Sequence, residues 1–166
     1  MLEAARWAPT HKLTEPWHFV ILEGGAKAEF EALTIDRCGA LLPPDKAEAT
    51  VAKLTRKRGK DWPKVRAFIA ICMKRNESVP EWEELAAVAA AVQNMQLAAA
   101  ALGVGCYWSS WQPAARDSPE MHALLRIDGA RGDRCLGVLS VGHPDGERVA
   151  ALRARRAPLE EKVLWL

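Results

Sequence analysis

Apolar residues along this chain fall into three short blocks, a repeating helical stripe and a few isolated anchors. His18-Phe19-Val20-Ile21-Leu22 is short, rich in β-formers and closed by Gly24-Gly25, which predicts a strand over 18–22. Ala26 to Leu33 predicts a short helix with Phe30 and Leu33 on one side. Pro43-Pro44-Asp45 is a helix start, and a helix from Asp45 to about Arg58 is expected after it. Ala67-Phe68-Ile69-Ala70-Ile71-Cys72-Met73 is an unbroken apolar run and predicts a central strand covered on both faces. Leu136 to Val141 is the last such run.

The longest element predicted is a helix from Glu81 to Leu102. Leu85, Val88, Val92, Met95, Ala99 and Leu102 recur at steps of three and four, while alanines fill most of the other faces. A helix apolar all round is buried on all sides, so this one belongs at the centre of the fold or at a subunit interface. Gly103-Val104-Gly105 ends it, since glycine suits the left-handed residue after a helix. Cys106 to Trp111 then predicts a short strand and turn. Glycines after a helix run in the wrong order for a dinucleotide fingerprint, which goes strand, glycines, helix. Ser118 before Pro119 predicts the N-cap and first residue of another helix. Arg153, Arg155, Arg156 and Pro158 form a basic tail that ends in Val163-Leu164-Trp165-Leu166.

Length and charge narrow the class. A chain of 166 residues fits one domain, 1–166, and buries about 70% of its unfolded surface. A net charge of +2 gives no argument for nucleic acid. The basic run from Lys53 to Arg66 reads as a solvated helix end and loop, with a polyanion patch as the lesser alternative. No stretch approaches the eighteen or so apolar residues of a membrane helix, and no signal peptide is evident. Cys38, Cys72, Cys106 and Cys135 have neither metal spacing nor a Cys-x-x-Cys motif, so reduced thiols in the cytoplasm are the simplest expectation. No catalytic triad, paired carboxylate or phosphate loop is present.

The segment Ala8-Pro9-Thr10-His11-Lys12-Leu13-Thr14-Glu15-Pro16-Trp17 offers a His, a Lys and hydroxyls at the mouth of the first strand. Its two prolines predict an extended loop, in a place where ligands commonly sit. It is otherwise an ordinary connection whose Trp17 packs in the core. Trp7, Trp17, Trp108 and Trp111 are expected around this loop and the glycine turn, either flanking a planar ring or filling the core.

This loop resembles the flavin-contacting loop of the nitroreductase family, with Glu15 where the family usually has Gln. Val79 to Gly105 resembles the family's central helix and glycine turn, and Gly137 to Pro144 its last core strand and exit loop. The short minimal bacterial members are most similar. The resemblance implies an α+β, nitroreductase-like fold: a mixed, mostly antiparallel sheet flanked by helices, in an intertwined homodimer built around the long helix. It implies an FMN-dependent enzyme that takes hydride from NAD(P)H and passes it to a nitroaromatic, quinone or similar small-molecule acceptor by alternate binding. Trp7 and His11 match positions that contact FMN from one subunit, and Trp108, Ser109 and Ser110 positions that contact it from the other. Ala98, Ala99, Ala100, Ala101, Leu102 and Gly103 match a region tied to the nicotinamide cofactor. Lys12, beside His11, is in place to put positive charge near N1 of the flavin. The family's Arg-Arg-Ser-x-Arg motif, which serves the flavin phosphate, is absent from this sequence. Met1 to Trp7 begins in mid-helix without a capping residue, which points to an N-terminal truncation, or else to a frayed terminal turn. The absent motif also keeps open a non-catalytic or inactive flavin-binding dimer module, and a structural interaction protein with no cofactor.

Overall fold

The computed structural model describes residues 1–151 and 156–166. Four strands form one sheet in the order β1-β2-β4-β3: β1 is Trp17–Leu22, β2 Ala67–Met73, β3 Gly105–Ser109 and β4 Arg134–Gly142. The resemblance implies a mixed, mostly antiparallel sheet; every pairing among the described residues is antiparallel. The helices are α1 (Leu2–Ala5), α2 (Gly24–Leu41), α3 (Pro44–Lys60), α4 (Glu81–Ala101), α5 (Pro113–Arg116), α6 (Pro119–Leu125) and α7 (Gly146–Ala151). Of the basic tail, Arg153 and Arg155 lie outside the described residues.

The sheet separates two apolar layers. Alternation along β2 decides which residue enters which: Phe68, Ala70 and Cys72 face α2, α3, α5 and α6, while Ile69, Ile71 and Met73 face α4 and α1. Its position between β1 and β4 explains why it reads as one continuous apolar run. In the first layer Phe30, Trp62, Phe68 and Trp111 form an aromatic cluster with ring centroids 5.2–6.1 Å apart. The Trp111 indole N–H donates to Thr34 Oγ1 at 2.9 Å, which satisfies its one donor inside the core. In the second layer α4 lays Val88, Ala91, Val92, Met95 and Ala99 on the sheet.

Two expectations need correction and a third narrows. The short helix over 26–33 is instead α2, eighteen residues from Gly24 to Leu41. Its weak helix formers Thr34, Cys38 and Gly39 are carried by packing: Thr34 and Cys38 are fully buried, and the Thr34 hydroxyl donates to the Phe30 carbonyl at 2.8 Å. The extended loop between Pro9 and Pro16 is instead folded over His11–Leu13 into a tight 3-10 turn, closed by Thr14 N–H donating to the His11 carbonyl. The long helix, expected at the centre of the fold or at a subunit interface, is not at the centre: Trp82, Ala86, Ala89, Gln93, Leu97 and Ala100 are exposed within the chain, which leaves the interface alternative. Trp82 and Leu97 are 68% and 60% exposed.

Candidate functional site

The folded loop reaches β1 through Pro16, whose carbonyl accepts from Lys74 N–H at 2.8 Å. It is pinned at two further points that lie far away in sequence. His11 Nδ1 meets the Glu83 carboxylate in the first turn of α4. Lys12 Nζ donates to the Ser78 carbonyl at 3.1 Å. The support below is stiff. Glu84 is buried and takes Arg75 Nη1 at 2.5 Å and Asn76 N–H at 3.0 Å, while Arg75 N–H donates to Asp133 at 2.9 Å. A carboxylate without water is tolerated when charge and hydrogen bonds both meet it. Between loop and helix opens a cleft of about 430 Å³, lined by Pro9, Thr10, His11, Trp82, Glu83 and Ala86. That volume lies in the range of small-molecule sites.

Trp7 stands just before this loop and is 72% exposed, so core packing does not account for it. Its indole N–H donates to Glu3 at 2.9 Å and the Arg6 guanidinium lies 5.3 Å from its ring. Trp108, Ser109 and Ser110 sit at the end of β3, on the opposite edge of the sheet. Three strand spacings separate the two edges, about 14 Å. Trp108 is half-buried and its N–H donates to the Leu136 carbonyl at 3.2 Å. Ser109 Oγ accepts from Trp111 N–H at 3.2 Å, and Arg116 holds the Ser110 carbonyl at 3.1 Å.

The β4 residue beneath this turn is Gly137, at φ +125°. A Cβ there would collide with the Ser109 carbonyl and lie 2.9 Å from Trp108 Nε1. Only glycine lets the Trp108–Ser110 backbone come this close. Its signal was present in the sequence: an isolated glycine in an apolar strand marks a bulge or a close approach.

The segment Ala98–Gly103 closes α4 at its other end. Val104 N–H donates to the Ala99 carbonyl and Gly103 N–H to the Ala100 carbonyl, with Gly103 at φ +68°, a Schellman cap. Ala99 is buried, whereas Ala100 to Gly103 are exposed. Fifteen residues of helix separate Glu83 from Ala98, about 22 Å. Within one chain, therefore, His11, Lys12 and Trp7 form one group, Trp108, Ser109 and Ser110 a second, and Ala98–Gly103 a third. Trp17 and Trp111 do not join them: Trp17 packs on the α4 layer and Trp111 in the opposite one. Glu83, Ser78 and Arg116 had no sequence signal, because each acts through a contact between distant segments or with a backbone carbonyl.

Backbone strain has a clear distribution. Five non-glycine residues among those described have positive φ: Lys12, Leu13, Glu15, Trp111 and Arg126. Arg126 is the left-handed C-cap of α6, a routine place for such a residue. The other four fall within the loop after Pro9 and immediately after Ser110.

The fold is an α+β scaffold with strained backbone at two edge segments, and comparison with known proteins identifies its family. The Nitroreductase family profile matches residues 1–143, and the chain belongs to that family. It is 33% identical over 147 residues to a protein of Escherichia coli strain K12 named "Putative NAD(P)H nitroreductase YdjA", covering 87% of this chain and 74% of that one. Among solved structures it is similar to a nitroreductase-like family protein from Bacillus cereus, with a TM-score of 0.76 and 26% identity over 99% of this chain and 81% of that chain. The FMN-dependent nitroreductase NfnB from Mycobacterium smegmatis, solved with NADPH, shares the fold with a TM-score of 0.72 and 17% identity, over 99% and 85% of the two chains.

Proposed function

We propose that this chain is an FMN-dependent NAD(P)H oxidoreductase that reduces nitroaromatics, quinones or similar acceptors by alternate binding, at sites shared between two copies. The observation that carries the reading is the strain: four non-glycine residues in left-handed backbone, about 1–3 kcal/mol each, three of them (Lys12, Leu13 and Glu15) in the loop matched to flavin contacts and the fourth, Trp111, next to Ser110 at the end of the other matched segment. Strain of that kind persists where a ligand site needs a fixed shape. The separation of the two segments by the width of the sheet is also what a site shared between copies requires. Half of it would come from the Trp7–His11–Lys12 side of one copy and half from Trp108–Ser110 of the other.

Bound FMN would supply the hydride chemistry between NAD(P)H and the acceptor. The residues fit such a planar, anionic group in part. His11, held by Glu83, lines the cleft, and Lys12, held over Ser78, stands next to it in the same turn. Trp7 presents an exposed indole face, and the Ser109 and Ser110 turn presents hydroxyls and backbone. Ala100 to Gly103 leave an uncluttered helix end for the nicotinamide cofactor. A second reading, a flavin-binding dimer module without turnover, uses the same residues, since binding a flavin needs no nucleophile or base at the cleft. In this reading either form works in the cytoplasm, which the absence of a Cys-x-x-Cys or disulfide-framework spacing in the sequence supports. The 166 residues act as one domain.

The test is the visible spectrum of the purified chain under nitrogen, before and after FMN and then NADPH. A protein-bound flavin band that NADPH bleaches is the expected result. A bound band that NADPH leaves unchanged selects the module without turnover, and a chain that retains no FMN on desalting overturns both.

A further inference from the structure

Cys72 of β2 and Cys135 of β4 are register partners on adjacent antiparallel strands, and both face the layer under α2 and α3. Opposed residues on such strands have Cα atoms about 4.5–5.5 Å apart. That lies inside the span of about 4.4–6.8 Å that a disulfide bridges. The pair sits on an irregularity: Ile71 pairs with Gly137 and Cys72 with Cys135, so Leu136 is an extra residue in β4. A bulge bends the strand and loosens the ladder locally, which gives the two sulfurs room to adjust. Cys135 also lines a cleft of about 460 Å³ with Arg116, Asp117, His122, Asp133 and Arg134, and Cys72 lies behind it. The other two cysteines lie elsewhere, Cys38 in α2 and Cys106 facing the α4 layer.

We infer that Cys72 and Cys135 are a redox-active dithiol that closes to a cross-strand disulfide when a hydroperoxide enters through the Arg116–His122 cleft. This does not depend on the flavin reading. The neighbouring Cys72 thiol lowers the Cys135 pKa, and the Gly137 backbone and then the Arg116 guanidinium add to that against the opposing effects of burial and Asp117; the pKa of Cys72, beside Cys135 and buried, is raised. Cys135 lines the cleft beside Arg116 whereas Cys72 is fully buried, so Cys135 is the sulfur that a hydroperoxide meets and that attacks as the thiolate. Its sulfur takes the distal oxygen of the hydroperoxide and the O–O bond breaks. The alkoxide or hydroxide released takes up the proton that Cys135 lost. The Cys72 sulfur then attacks the sulfenic sulfur of Cys135, the S–S bond forms and the S–O bond breaks. The departing hydroxide leaves as water with the Cys72 proton. Two thiols lose two electrons, and the peroxide bond gains them.

The test exposes the folded full chain to hydrogen peroxide, blocks remaining thiols with N-ethylmaleimide and maps peptides without reduction. The expected product is a single cross-link joining the Cys72 and Cys135 peptides, reversed by dithiothreitol, with Cys38 and Cys106 alkylated. In Cys72→Ser, Cys135 should be trapped by dimedone as its sulfenic acid; in Cys135→Ser, Cys72 should remain a thiol. The wild-type cross-link is read without either variant, so a variant that fails to fold leaves the test standing. Wild-type protein that keeps both thiols at peroxide levels that oxidise glutathione fully, or that cross-links other cysteines instead, overturns the inference.

Discussion

The two faces of the sheet are built differently. On the α2 and α3 face, helices cover the strands and each other, the four-ring cluster of Phe30, Trp62, Phe68 and Trp111 fills the middle, and even the polar Thr34 is paired. On the other face α4 covers the strands, but its outer side carries Trp82 and Leu97 in the open. Both the His11 loop and the α4 terminus expected to meet cofactors sit on this second face. The closed layer leaves little apolar surface in the open, chiefly Leu41 at the end of α2 and Tyr107 on the edge strand, so its interactions mostly serve the fold. The open layer holds apolar area whose burial would be worth about 25 cal/mol per Å² to whatever covers it. Stability and function are therefore divided between layers, and substitutions in each should move different measurements.

Phe68→Ala should have the largest effect on stability. The ring is fully buried and contacts three other aromatic rings, so about 3–5 kcal/mol should be lost. Chemical denaturation checks this. Below the unfolding transition, flavin affinity of the folded fraction should change less than twofold. A large loss of affinity in the folded fraction would break the division between layers. Glu84→Gln should come next, at about 3 kcal/mol, because it leaves Arg75 with a neutral partner in a buried place. It also loosens the 74–80 segment under His11 and Lys12, so here flavin affinity should fall together with stability. Urea midpoint and FMN titration by flavin fluorescence, measured on one preparation, check the pairing.

How much of this was legible in the sequence depended on how local each cause was. β2 was readable to the residue, since an unbroken apolar run flanked by charges has one reading in a mixed fold. The start of α4 after Pro80 and its end at Gly103 were equally readable, because capping acts within a turn. Ser118 capping Met121 N–H at 3.2 Å is another local case. α2 was not readable past Leu33, because Thr34 and Cys38 are held helical by contacts from α5 and the strands. The shape of the His11 loop was misread for a similar reason. Two prolines do favour extension, but the Thr10 and Thr14 hydroxyls meet at 3.0 Å and fold the segment between them. For the site, the sequence named the two segments through their resemblance to a family. It was silent on Glu83, which lies 72 residues beyond His11.

The smallest effect on folding, and the sharpest on the comparison, should come from Leu97→Glu. Leu97 lies on the outer side of α4, is mostly exposed within the chain, and glutamate is nearly as good a helix former as leucine. Stability of the isolated chain should stay within about 0.5 kcal/mol of wild type. If a second copy covers α4, a carboxylate in that interface has no partner and must be desolvated, and the dimer dissociation constant should rise by more than tenfold. Sedimentation across a dilution series measures it directly. Flavin binding should fall in step with the dimer fraction and recover at high protein concentration, because each half of the site is intact and only its meeting is lost. A variant that remains monomeric yet binds flavin as tightly as wild type would mean that Trp7, His11 and Lys12 hold the cofactor without Trp108–Ser110, and the site would belong to one chain.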